Sequence, residues 1–174
     1  MFPSRRAIRS FNACSSRENA NISDRETVQQ ESTTVAMAKS DNRHNRIYMT
    51  AQPLGDELVN DIESGKFDTL QEARARGRVL ADNYDWDVNQ ARKIFAFGPT
   101  DRDPNVILDA TVGIDMREIK DSVVAAFTQT STSGPIAGEQ LRGVRLQIPD
   151  VKLHSDAIHR GMGQIFGISF NWLS

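Results

Sequence analysis

The chain has 174 residues, 39% hydrophobic and 25% charged, with a formal net charge of -2 at pH 7. That length suits one domain with or without tails, and the charge excludes a generic cationic nucleic-acid binder, so any RNA contact has to come from a local patch. The single Cys14 excludes an internal disulfide and a cysteine zinc framework. That points to a reducing compartment, and no apolar run approaches the roughly 20 residues that would span a bilayer.

The opening ten residues are basic and acid-free, like a transit peptide. Residues 1–24 are rich in Ser, Arg and Asn and are expected to be disordered. A β-ribbon is expected from Glu26 to Lys39, then a loop of turn formers over residues 40–46, then a strand over Ile47–Ala51 ended by Pro53 and Gly55. Leu54, Leu58, Val59 and Ile62 predict an amphipathic helix closed by Gly65. Leu70, Ala73, Gly77, Leu80 and Ala81 predict a second, capped by Asp68 or Thr69, with Glu72 placed for a capping box if Thr69 is the N-cap.

Asp87 opens a short helix ending near Lys93, and Ile94–Phe97 reads as a strand stopped by Gly98-Pro99. Asn105–Thr111 reads as a further strand, and Met116–Thr130 as a helix buried through Ile119, Val123, Ala126 and Phe127. Val144, Leu146 and Ile148 alternate with polar residues in a last strand; residues 150–163 are strand end and loop, and 166–174 an apolar tail. Elements interleaved in this way predict an α+β sandwich, a small sheet with helices on one face.

Two of the three histidines, His154 and His159, stand in His154-Ser155-Asp156-Ala157-Ile158-His159-Arg160-Gly161-Met162-Gly163. Histidine and aspartate are metal ligands, but this spacing does not place both imidazoles on one helix face as a helical zinc site does. No Gly-x-Ser-x-Gly elbow accompanies them, which weighs against a nucleophilic triad. A solvated polar loop is the plainest reading of the residues alone. Gly161 and Gly163 permit positive φ or close approach to a partner, and His159 with Arg160 beside them suits RNA backbone. Lys39, Arg43 and Arg46, offset by Asp41, give the loop around His44 a positive balance, so the two loops could form one patch. No Gly-x4-Gly-Lys-[Ser/Thr] loop occurs, so the chain has no P-loop nucleotide site.

The segment Asp150 to Ile165 resembles the diphthamide loop of eukaryotic and archaeal translation elongation factor 2. The likeness extends through Leu141–Arg145, Glu118–Phe127, Tyr84–Asp87, Ala91–Pro99, Ser40–Arg46 and Arg25–Val28, covering residues 25–165. The resemblance implies a ribosomal-protein-S5 domain 2-like fold, the fourth domain of that GTP-dependent factor, which reaches into the decoding-side A site as tRNA and mRNA move. It implies that His159 is converted to diphthamide and is the target of ADP-ribosylating toxins. It also implies a tip loop of His154, Asp156, Ile158, Arg160, Gly161 and Gly163, with Arg43, His44 and Arg46 alongside. Expected partners are the ribosome, tRNA, mRNA and diphthamide-synthesis enzymes, in the cytoplasm.

GTP and Mg belong to the parent factor; this chain is expected to hold no cofactor or metal and to catalyse nothing. Ser155 and Met162 depart from the usual alanine and glycine, and residues 1–24 and 166–174 do not match. The domain is therefore expected to be truncated at its C-terminal end, with a marginal fold whose tail of Phe166, Phe170 and Trp172 partly covers the sheet. The alternatives are a stand-alone, non-catalytic ribosome- or RNA-binding module and a non-functional gene fragment.

Overall fold

The computed structural model describes residues 24–161 and 163–165, except the side chains of Ala157 and Arg160. The tail from 166 to 174, Met162 and all but Asp24 of the segment expected to be disordered lie outside the described residues. The described residues form a mixed five-stranded sheet with four helices, as the α+β class predicts.

The strands are β1 (Ala36–Lys39), β2 (Arg46–Pro53), β3 (Ile94–Gly98), β4 (Asn105–Asp109) and β5 (Val144–Lys152), in the order β1-β2-β5-β4-β3. Only the β4–β5 pair is parallel, joined through helix α4 (Lys120–Thr132). Helices α1 (Asp56–Glu63), α2 (Ala73–Tyr84) and α3 (Val88–Arg92) lie between β2 and β3.

Period-2 alternation along the strands sorts the core into two layers. Ile47, Met49, Ile107, Val144, Leu146 and Ile148 pack with Val123 and Phe127 of α4 and with Ile119 just before it. Val106 and Leu108 point the other way and pack with Leu58, Val59 and Ile62 of α1, Leu80 of α2 and Ala91 of α3. The helices therefore flank both faces, not one. The reason is β4, whose Val106, Ile107 and Leu108 are successive and all buried: a strand apolar on both sides needs cover on both.

Several local expectations shift. The ribbon expected from Glu26 contracts to β1, with Glu26 making only an isolated bridge to Leu141. Helix α1 begins after Gly55, whose φ of 98° is a glycine conformation, and leaves Leu54 outside. Helix α2 starts at Ala73 with no side-chain cap. The Thr69 hydroxyl instead donates to the Asp101 carbonyl, and Leu70 is 60% exposed. Asp87 does cap α3, accepting from the amides of Asn89 and Gln90 at 2.9 Å each.

Strand β5 runs four residues past Ile148, straight through Pro149. A proline breaks a ladder because it has no N–H to donate. Here the register shifts between Tyr48 and Thr50, so Ile148 and Pro149 together face Met49. That bulge absorbs the proline and carries the strand on to Lys152.

Candidate functional site

Extending β5 to Lys152 has a consequence for position. Arg46 opens β2 and Lys152 ends β5, and the two are paired across the ladder. The loop before β2 and the loop after β5 therefore leave the sheet at the same end. The first turns tightly: the Arg43 amide donates to the Ser40 carbonyl at 2.7 Å, and Arg43 takes a left-handed φ of 61°. The second runs into a 3-10 turn over Ala157–Arg160, capped by Asp156, whose carboxylate accepts from the Ile158 amide at 3.1 Å.

Two asparagines bind the loops together. Asn45 is fully buried; its Nδ2 donates to the His159 carbonyl at 2.7 Å and its Oδ1 accepts from the His154 amide at 3.0 Å. Asn42 Nδ2 donates to the same His159 carbonyl at 3.0 Å, and its amide donates to Gln164 Oε1 at 3.1 Å. Asn42 Oδ1 accepts from the Ser40 hydroxyl and from the His44 amide.

This clamp brings all three imidazoles together. Ring centroids are 4.9 Å apart for His44 and His154, 5.0 Å for His44 and His159, and 4.7 Å for His154 and His159. Those separations fall in the range of paired aromatic rings. His154 Nδ1 accepts from the Asp156 amide at 3.1 Å, which orients that ring from within its own loop. His44 is exposed while His154 and His159 are half-buried, and Ile158 projects at 83% exposure. The cluster is thus an outward-facing patch of three rings in tilted and edge-on contact, with an apolar apex. Among the described residues no group of three or more His, Cys, Asp and Glu is arranged to hold a metal ion.

The expected site residues fall into four groups. His44, His154 and His159 come together through their rings, with Asp156 and Ile158 in the same loop as the last two. Arg43 and Arg46 flank them, Arg43 exposed and Arg46 half-buried. The Arg160 side chain and Met162 lie outside what is described. The glycines do not supply positive φ: Gly161 has φ -54°, Gly163 is not among the glycines with positive φ, and a Cβ on either would meet open space. The left-handed residue at this end is Arg43. Sequence reading passed over Asn42, Asn45 and Gln164, because a turn-forming asparagine and a clamping one look alike until the second loop is in place.

A concavity of about 510 Å³ lies between α1 and α2, lined by Asp61, Lys66, Phe67 and Tyr84 among others. The Tyr84 hydroxyl donates to Asp61 Oδ2 at 2.7 Å, and Lys66 Nζ reaches the same oxygen at 2.9 Å. Burial, reinforced by the Asp61 carboxylate, pushes the Tyr84 phenol up to about 12. A folded-state value raised above the unfolded one makes this contact stabilising below pH ~10 and lost as pH climbs through about 12. Tyr48 is the other of the two tyrosines. Ultraviolet titration of a Tyr48→Phe variant should therefore show Tyr84 ionising near 12; a midpoint at the ordinary phenol value would contradict the contact.

No helix among the described residues is long and apolar enough to cross a membrane. Compared with known protein families, residues 66–170 match the model for elongation factor G, domain IV.

Proposed function

The chain belongs to the elongation factor G domain IV family, and on that premise we propose that it is the ribosome-entering tip domain of an elongation factor 2 of eukaryotic and archaeal type. In this reading the domain spans residues 25–165 and works in the cytoplasm. The two clamped loops enter the decoding-side A site while the parent factor hydrolyses GTP on other domains. His159 is the residue converted to diphthamide, and toxins attach ADP-ribose there.

The observation that carries the proposal is the position of His159. Its main-chain carbonyl is held by two asparagines from the other loop, while its ring stays at the surface against His44 and His154. A side chain that is to be enlarged by modification needs a fixed backbone and an open approach, and both are present. The contact this chain makes is mechanical: imidazole edges and flanking arginines offer donors to phosphate and base edges, with no catalytic group.

The experiment is toxin labelling. The chain would be expressed in a eukaryotic host that modifies its own factor, then incubated with diphtheria toxin and labelled NAD. Label on the wild type and none on His159→Ala is the expected result. An unlabelled wild type beside a labelled host factor, or label that persists on His159→Ala, would overturn the assignment.

A further inference from the structure

The ladder registers place three cations in one row. Lys39 pairs with Arg46, and Arg46 pairs with Lys152. All three lie on the face opposite Ala38, Ile47 and Val151, which point into the α4 core. Neighbouring members of such a row have Cβ atoms about 4.5–5.5 Å apart, and like charges in that arrangement repel. Lys39 and Lys152, two strand spacings apart, are separated by about 9.5 Å.

Nothing described offsets this repulsion. Among the described residues none of the three is in an ion pair. The nearest carboxylate across the ladder is Asp150, one row further along, where its oxygen accepts from the Val151 amide. Asp41, in the adjoining loop, is exposed. The chain as a whole is slightly acidic, so three aligned cations on an open sheet are a local concentration of charge.

We propose that this row is a phosphate-binding track for single-stranded RNA, running from the histidine tip onto the open face of β1, β2 and β5. It rests on the reading of the tip loops as RNA-contacting and extends it to Lys39 and Lys152, which the loops do not include. Two features favour a nucleic acid over an acidic peptide. Arg46 begins where the His44 loop ends, so a backbone leaving the tip meets the row without a gap. Tyr48 occupies the next position on the same face, between Met37 and Asp150. There it offers a ring on which a base can stack, and stacking on a sheet aromatic is a recurrent mode of single-strand recognition.

The test is the salt dependence of binding to oligouridylate, for the full chain and for the Lys39→Gln/Lys152→Gln variant. Each lost phosphate contact on a single strand lowers the slope of log K against log salt by about 0.7. The double variant should therefore lose about 1.4 in slope, equivalent to a roughly sevenfold smaller affinity ratio between 50 and 200 mM salt. Its melting temperature should equal or exceed the wild type's, because repulsion is relieved; a lower one would count against the row's being unpartnered. An unchanged slope, or equal competition by polyglutamate, overturns the proposal. Toxin labelling reads the tip separately: an unchanged slope with His159 still labelled removes the row and leaves the tip assignment standing.

Discussion

Replacing Asn105 with alanine should leave the chain largely unfolded. Asn105 opens β4, has no exposed surface, and makes three hydrogen bonds to main chain. Its Nδ2 donates to the carbonyls of Gly98 and Leu141, both at 2.8 Å, and its Oδ1 accepts from the Val144 amide at 3.1 Å. One side chain thereby ties the end of β3, the segment before β5 and the start of β5 to β4. Each buried group left without a partner costs about 1–3 kcal/mol, so three orphans approach the 5–15 kcal/mol that holds an ordinary domain. Collapse around the gap is restricted: a Cβ at Gly98 would already stand 2.5 Å from Phe127 Cε1. In urea the midpoint should fall by most of its wild-type value, with m unchanged for whatever still folds. A loss below about 1 kcal/mol would mean that water takes over all three bonds.

What the sequence disclosed, and what it hid, divides along physical lines. Signals confined to one segment were legible. The Asp87 carboxylate reaches amides two and three residues away, so its capping of α3 needed no tertiary information. The Leu58, Val59 and Ile62 stripe of α1 and the Val144, Leu146 and Ile148 alternation of β5 reflect local periods, and both are buried as read. Thr69 is the opposite case. Its spacing to Glu72 suits a capping box, yet Asp101, thirty-two residues on, takes the hydroxyl. The continuation of β5 to Lys152 was hidden likewise, since the bulge that seats Pro149 exists only where Ile148 and Pro149 together face Met49 of β2. The helices on two faces were hidden for the same reason, since an all-apolar Val106–Leu108 run does not say which neighbour covers which side. At the tip, residue types with side-chain chemistry stood out, whereas the asparagines that position them did not.

Asn45→Ala should release the tip without melting the domain. The His154 amide loses its only described acceptor, Asn45 Oδ1, and Ser40 loses the donor at 3.3 Å. The His159 carbonyl keeps one of its two donors, Asn42 Nδ2. The cost should be about 1–3 kcal/mol, and because these bonds join loops rather than core elements it should appear as local opening. Hydrogen exchange over residues 153–161 should accelerate by roughly ten- to a hundredfold, while β4 and β5 keep their protection. Asn42→Ala alone should cost less, because Asn42 is half-buried and water can reach the groups it leaves, whereas Asn45 is fully buried. The double variant should then cost more than the sum of the two, since only it strips the carbonyl of both donors, and a cycle of the four proteins measures that excess. Simple additivity would mean that the asparagines act on the two loops independently. A positive coupling would make His159's backbone the point at which the loops are joined, so that toxin labelling should decline in the order Asn42→Ala, Asn45→Ala, double variant.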